Sequence, residues 1–288
     1  MRHLAGMAAL APGYDGFILD LWGVIHDGVN PYPGAPECLR ALREAGKRIV
    51  LLTNAPRRAE PIRRQLRKMG LEDGLYDGVM SSGEASHLLL RDRPGDWARG
   101  LGRRIFHLGP ERDRNVLAGL DVEVLDTPEG ASCVLNTGPD DLMPPSDIDA
   151  FLPLLRDCAD RALPMICANP DLEVIRGGVR VMCAGTLAAA YAGMGGVVHS
   201  LGKPDPLIYA PVLEMLGLPK PRVLAVGDAL RTDIAGAKAA GVDSCWVLGG
   251  LHGDHLARDG GAEDAGRIEA EAAAAGLAPV AAVPHFVW

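Results

Sequence analysis

Asp20 ends the apolar run Phe17-Ile18-Leu19 and is followed shortly by Gly23. A second carboxylate, Asp228, closes the apolar stretch Val223 to Gly227, and Asp233 stands a little further on, where a helical pattern begins. Short apolar runs of this kind read as buried strands, and in open α/β sheets ligands bind beyond the carboxyl ends of the strands. Two strand-end carboxylates with a third acid at the same edge make an oxygen-rich site suited to Mg²⁺, which favours carboxylate, carbonyl, water and phosphate ligands. Plainer roles are open to the same residues. Asp20 could cap a turn before Gly23, and Asp233 could be an ordinary helix-start acid favoured by the helix dipole.

Other residues could join such a site. Thr53 and Asn54 follow the apolar run Ile49 to Leu52, and Lys203 lies in Gly-Lys-Pro-Asp-Pro, residues 202–206. In isolation these read as a strand-end turn and a solvated lysine. Asn169 and Asp171 flank Pro170, where they either face a substrate or form an Asx-type turn. His26 and Asp27 sit on the turn after the Asp20 strand, and Asp27-Gly28 is a good hairpin-turn pair that needs no function. His199 and Glu84 are weaker candidates.

The elements that must position these residues alternate between strand and helix. Gly16 to Asp20 precedes a helix around Ala35 to Ala45; Lys47 to Asn54 precedes a charged helix around Arg57 to Met69. This alternation predicts βαβ units and a buried parallel sheet, an α/β fold. It returns with Val197 to Gly202 before a helix from about Pro206 to Leu216, and with Arg222 to Asp228 before one from about Asp233 to Ala240. Asp243 to Gly250 follows as a further strand, and the two stretches read as two halves of one sheet. Between them the segments Arg103 to Gly109, Val122 to Leu125, Ala131 to Gly138 and Pro164 to Pro170 read as strands. Ser146 is a plausible N-cap for a helix running to about Asp160. An alanine-rich helix is expected near Glu269 to Ala275.

Composition narrows the function classes. The chain has 288 residues, a formal charge of −8 and no basic tract, which argues against general nucleic-acid binding. No uncharged apolar run approaches the roughly 18 residues of a membrane-spanning helix. Asp15 and a core strand follow the N-terminal residues too soon for a cleavable signal peptide, so a cytoplasmic location is expected. The six cysteines are scattered, with no Cys-x-x-Cys, and suggest core packing rather than disulfides or a thiolate zinc site. No oligomeric state is selected; a homodimer is one that stays open.

Taken together, Phe17 to Gly28, Leu51 to Ala55, Gly202 to Pro206 and Val226 to Ala237 resemble, in order and context, the motifs of the haloacid dehalogenase superfamily. The passage Ala168 to Gly178 followed by Gly202-Lys203-Pro204 is similar to its class IIA, the NagD-like sugar-phosphatase group. The resemblance implies a Rossmann-like core of residues 1–82 and 196–288 with a large α/β cap, residues 83–195, inserted after the second motif. It also implies a Mg²⁺-dependent phosphohydrolase acting on a small phosphorylated metabolite. In that scheme Asp20 attacks phosphorus to form an acyl phosphate, and Asp20, the Trp22 main-chain carbonyl, Asp228 and Asp233 serve the metal. Thr53 and Asn54 bind phosphoryl oxygens, Lys203 neutralises charge, and Asn169 lines the substrate side.

Trp22 departs from the pattern, because the family's phosphatases carry an acid at that position. An indole cannot transfer a proton, and general acid–base catalysis contributes about 10²–10⁴-fold. A slow or selective enzyme follows sooner than a dead one. The indole could wall the pocket, stack on a substrate or simply pack under the cap. Two alternatives stand beside the phosphatase: a 2-haloacid dehalogenase, whose family also places an aromatic residue there, and a phosphate-binding regulatory protein with little turnover.

Overall fold

A computed structural model describes residues 1–139, 147–176, 179–249 and 264–288. Two parallel sheets organise the chain. The first has seven strands: β1 (Arg2–His3), β2 (Gly16–Leu19), β3 (Arg48–Thr53), β4 (Gly78–Ser81), β12 (Val223–Gly227), β13 (Asp243–Val247) and β14 (Ala281–Val283). Their spatial order is β1-β14-β13-β12-β2-β3-β4, every neighbour pair parallel. The second sheet contains β5 (Arg104–Leu108), β6 (Glu123–Leu125), β7 (Cys133–Asn136), β8 (Met165–Cys167) and β11 (Val198–Ser200), in the order β11-β8-β7-β5-β6. A separate antiparallel hairpin pairs β9 (Glu173–Arg176) with β10 (Val179–Met182).

Strand alternation divides the first sheet's side chains between two cores, as a sheet covered on both faces requires. Phe17, Leu19, Ile49, Leu51, Leu224 and Val226 pack with Leu39 and Leu42 of α1 (Ala35–Glu44) and with Ile62 and Leu66 of α2 (Ala59–Lys68). The intervening Ile18, Val50, Leu52, Val223 and Ala225 pack with Tyr209, Val212 and Leu216 of α7 (Tyr209–Leu216) and with Ala237 and Ala240 of α8 (Ala235–Ala240). A fifth helix, α3 (Ser82–Asp92), runs from the end of β4 toward the second sheet. Its Ala85 and Leu88 pack in the second of these cores, whereas Leu89 and Leu90 join a core of the second sheet with Ile105, Leu135 and Ile166.

One strand lies elsewhere than the sequence pattern suggests. Residues 198–200, expected to rejoin the first sheet, pair in parallel with β8 through Val198↔Met165 and Ser200↔Cys167. The reason is the crossover formed by α6 (Ala184–Gly193): its Leu187 and Tyr191, with Val198, share one core with Met165 and Cys167. An apolar run announces a buried strand without saying which sheet it joins. The second helix of that region is α5 (Leu152–Asp160), preceded by a 3₁₀ turn that Asp147 caps at the amide of Asp149. The cap expected at Ser146 lies outside the described residues. All six cysteines are buried and free. Among the described residues no helix is long and apolar enough to cross a membrane.

Candidate active site

The strand registers determine where the site lies. Leu19 pairs with Leu51 on one side and Val226 on the other, so the residues that follow these strands leave the sheet at a common edge. Asp20 follows β2, Thr53 and Asn54 end and follow β3, and Asp228 follows β12. β2 is the strand from which the order departs toward β3 on one side and β12 on the other, the switch point at which open α/β sheets open a crevice. Asp233 arrives on a π turn, Leu230–Ile234, ahead of α8; its Oδ2 accepts the Ala229 N–H at 3.1 Å, closing the loop after Asp228.

Lys203 lies at the centre. Its ammonium donates to Asp20 Oδ1 at 2.6 Å, to Asp233 Oδ1 at 2.6 Å and to the Leu52 carbonyl at 3.1 Å, using its three protons. All four charged residues are nearly inaccessible: Asp20 is 8% exposed, Asp228 6%, Asp233 5% and Lys203 3%. Burial pushes the Asp20 carboxyl up, with Lys203 pulling against it and Asp233 adding to the rise. Desolvation alone would lower the Lys203 ammonium, but Asp20 and Asp233 override it and hold the group well above its ordinary value.

Ligand oxygens of Asp20, Asp228 and Asp233 lie within 4.8 Å of one another. Asp20 and Asp233 share the Lys203 ammonium, and Asp228 stands beside them. The all-oxygen donor set of the three carboxylates fits a divalent cation of the hard class. Gly23, at φ +79°, permits this crowding, since a Cβ there would meet Asp228 Oδ2 at 2.0 Å.

Asn54 is gripped on every side. Its Oδ1 accepts the Lys203 N–H at 2.8 Å and the Ser82 hydroxyl at 3.2 Å, while its Nδ2 donates to the Lys203 carbonyl at 3.1 Å and to Asp171 Oδ1 at 2.9 Å. Asp171 comes from the end of β8, so this amide joins the two sheets across the site. Asn169 Oδ1 accepts the Asp171 N–H at 3.1 Å, forming the Asx turn that the Asn-Pro-Asp sequence suggested. Thr53 Oγ1 accepts the Ala55 N–H at 3.2 Å.

The site opens into a cavity of about 330 Å³ lined by Asp20, Trp22, Thr53, Asn169 and Asp171, with Arg57, Arg112, Asp113 and Cys183 also on its walls. Apolar walls come from Ile62, Leu66, Val174 and Val181. Trp22 forms part of this wall: its indole meets His26 edge-on at 5.4 Å and covers Gly28. A Cβ on Gly28, at φ +89°, would stand 2.1 Å from the indole. Gly28→Ala is therefore expected to cost about 2–4 kcal/mol through backbone strain and displacement of the ring. Chemical denaturation measures it, and a loss below about 0.5 kcal/mol would mean that the indole moves aside freely.

Not every candidate reaches the cavity. Glu84 is occupied with Arg58, at 2.7 and 3.0 Å, and with the Ala59 N–H. His199 stacks on Trp97 with ring centres 3.6 Å apart. Asp27 Oδ1 accepts the Val29 and Asn30 N–H groups, the turn role its sequence suggested. His26 does line the cavity, yet its Nδ1 accepts the Gly28 N–H at 3.0 Å and burial lowers its pKa to about 4, with Asp27 opposing. Asp171, one of the two sequence candidates beside Pro170, lines the cavity, whereas Ser82 emerges only in space; no sequence signal joins either to Asn54.

A family model described as haloacid dehalogenase-like hydrolase matches residues 17–123, and one described as HAD-hydrolase-like matches residues 200–271. A hydrolase of the haloacid dehalogenase-like family from Brucella suis 1330 superposes with a TM-score of 0.82 at 32% identity, covering 99% of this chain and 100% of that one. The chain belongs to the haloacid dehalogenase-like hydrolases. Within them it is of the NagD-like class IIA. A 4-nitrophenylphosphatase from Thermotoga maritima matches this hydrolase at 30% identity over 96% of each chain, with a TM-score of 0.69. A glycerol phosphate phosphatase from Mycobacterium tuberculosis in complex with magnesium matches at 26% identity over 84% of this chain and 70% of that one, with a TM-score of 0.63.

Proposed function

We propose that the protein is a Mg²⁺-dependent phosphohydrolase that cleaves a small phosphomonoester through an aspartyl-phosphate at Asp20. The observation that carries this reading is the buried ammonium of Lys203 between Asp20 and Asp233, with Asp228 beside them, opening on a cavity of small-ligand size. Asp20 attacks phosphorus in line with the ester oxygen, splitting one difficult displacement into two easier ones. Lys203 and the backbone N–H of Asn54, whose side-chain amide protons are both engaged, offset the charge carried by the phosphoryl oxygens, and Thr53 adds its hydroxyl. Asp20, Asp228, Asp233 and the Trp22 carbonyl would hold the cation, which would supply charge stabilisation to the phosphoryl group when bound. Asn169 and the indole of Trp22 shape the substrate side. The glycerol phosphate phosphatase and the 4-nitrophenylphosphatase among its relatives favour a compact phosphorylated metabolite such as glycerol phosphate.

The test is phosphate release from a panel of phosphorylated metabolites, with and without Mg²⁺, using Asp20→Asn as the blank. Chloride release from 2-haloacids without metal would replace this reading with the dehalogenase one. Ligand binding without product would replace it with a regulatory role. For the metal itself, calorimetry of Asp228→Asn is expected to lose the Mg²⁺ signal seen in the wild type, and the Mg²⁺-dependent rise in melting temperature should vanish with it. Equal signals in both proteins would remove Asp228 from the metal site.

A further inference from the structure

Expelling an aliphatic alcohol from phosphorus leaves a basic alkoxide. A proton delivered to that oxygen as the bond breaks is worth about 10²–10⁴-fold in rate. The indole at position 22 has none to give, so the cavity's other proton-bearing groups must be compared. His26 is neutral down to about pH 4, because burial disfavours its charged form, and its Nδ1 is committed to the Gly28 N–H. Lys203 has all three protons engaged, and its carboxylate neighbours hold the charge on it. Asp113 is ion-paired with Arg57 at 3.0 Å. Guanidinium groups such as those of Arg57 and Arg112 do not give up a proton in this range. Burial pushes the Cys183 thiol far up, where it is a poor acid.

Asp171 differs from all of these. Its backbone is anchored, with the N–H on Asn169 Oδ1 and the carbonyl accepting from Gly185 N–H at 3.1 Å. Its Oδ1 is fixed by Asn54, which is itself fixed by Lys203 and Ser82. Oδ2 has no hydrogen-bond partner among the described residues, and the side chain lines the same cavity as Asp20. The charged groups around it are Lys203, Asp233, Arg231 and Asp20, with the neutral thiols of Cys167 and Cys183 alongside. Burial is the largest influence and raises its pKa; Lys203, the Asn54 hydrogen bond and Arg231 oppose, Asp233 adds, and the net direction is upward. A desolvated carboxyl with one uncommitted oxygen, on a residue that lines the substrate cavity, is what a proton donor needs.

We propose that Asp171 protonates the leaving oxygen and then serves as the base for hydrolysis of the phosphoenzyme; this rests on the phosphohydrolase reading above. In the first step Asp20 forms the new O–P bond, the ester P–O bond breaks, and the Asp171 proton moves to the departing oxygen, releasing the alcohol. In the second, the Asp171 carboxylate takes a proton from the water that attacks phosphorus. The acyl-phosphate P–O bond breaks, releasing phosphate and restoring Asp20 as carboxylate and Asp171 as acid. The acid therefore reaches the reaction from the second sheet rather than from the turn after Asp20.

Two variants and two esters test this: Asp171→Asn, which keeps an acceptor for Asn54, and Asp171→Glu, which keeps the acid; glycerol phosphate, and 4-nitrophenyl phosphate, whose leaving group needs no proton. Phosphoenzyme formation by rapid quench is expected to fall by about 10²–10⁴-fold for glycerol phosphate in Asp171→Asn, by less than about tenfold for 4-nitrophenyl phosphate, and to recover in part in Asp171→Glu. The fall in glycerol phosphate cleavage as rising pH deprotonates the acid should disappear in Asp171→Asn. Equal losses on both esters with an unchanged pH profile would overturn the proposal, leaving Asp171 as a contact that positions Asn54. Wild-type protein that cleaves neither ester would overturn the phosphohydrolase reading and this proposal together.

Discussion

Asp20→Asn is expected to abolish turnover, with a loss of about 10⁴-fold or more, because an amide cannot form the acyl phosphate on which both half-reactions depend. The same change should leave the fold intact. The amide oxygen still accepts from Lys203, and one negative charge leaves a buried site in which Asp20 and Asp233 share a single ammonium. Without metal, the variant's melting temperature should equal or exceed that of the wild type, since burial and Asp233 both disfavour the Asp20 charge. Phosphate release and a thermal melt on one preparation check both halves. Residual turnover within tenfold of wild type would remove Asp20 as nucleophile, and a fall in melting temperature would mean that the charge is better compensated than the geometry indicates.

Lys203→Met should damage both rate and stability. Removing one partner of a buried ionic cluster typically costs about 3–5 kcal/mol, because the charges left behind have neither water nor a counterion. Asp20 and Asp233 would each lose a 2.6 Å contact, and a melting-temperature fall on the order of 10 °C is expected. The loss in rate should be about 10²–10³-fold or more, as for other preorganised groups that stabilise transition-state charge. Mg²⁺ should recover part of the stability, since a cation on the carboxylates replaces some of the missing charge, about 2.7 kcal/mol at a hundred times its Kd. Recovery of stability without recovery of rate would separate the two roles of the lysine. A melting temperature unchanged by the substitution would mean that the carboxylates are protonated when unpaired.

What could be read from the sequence follows the range of the interactions. Asp20 and Asp228 stand out because an apolar strand needs only its own neighbours to be recognised, and its carboxyl end follows from chain direction. The Asx turn at Asn169 and the turn at Asp27 are equally local, and the structure contains both. Asp171 belongs to another class. Its partner Asn54 is 117 residues away, and the charges that act on it, Lys203, Asp233 and Arg231, lie on other segments, so a local pattern leaves a substrate-facing residue and a turn residue as equal readings. The strand at 198–200 shows the same limit for the fold: its apolar run was legible, whereas its place beside β8 depends on the packing of α6. His26 illustrates the converse, a polar residue shortly after the Asp20 strand whose burial and Gly28 contact leave it uncharged.

Helix α3 carries a mechanical consequence. Adjacent residues on this one helix are divided between the two sheets' interiors, Leu88 on one side and Leu89 and Leu90 on the other. Its first turn also supplies the Ser82 hydroxyl that holds Asn54. Neither half can lose its packing around α3 without stripping apolar cover from the other, which couples their melting into one cooperative event. The helix is thus common property of the two interiors rather than a loose tether, and its first turn ties that shared packing to the amide that meets Lys203 and Asp171.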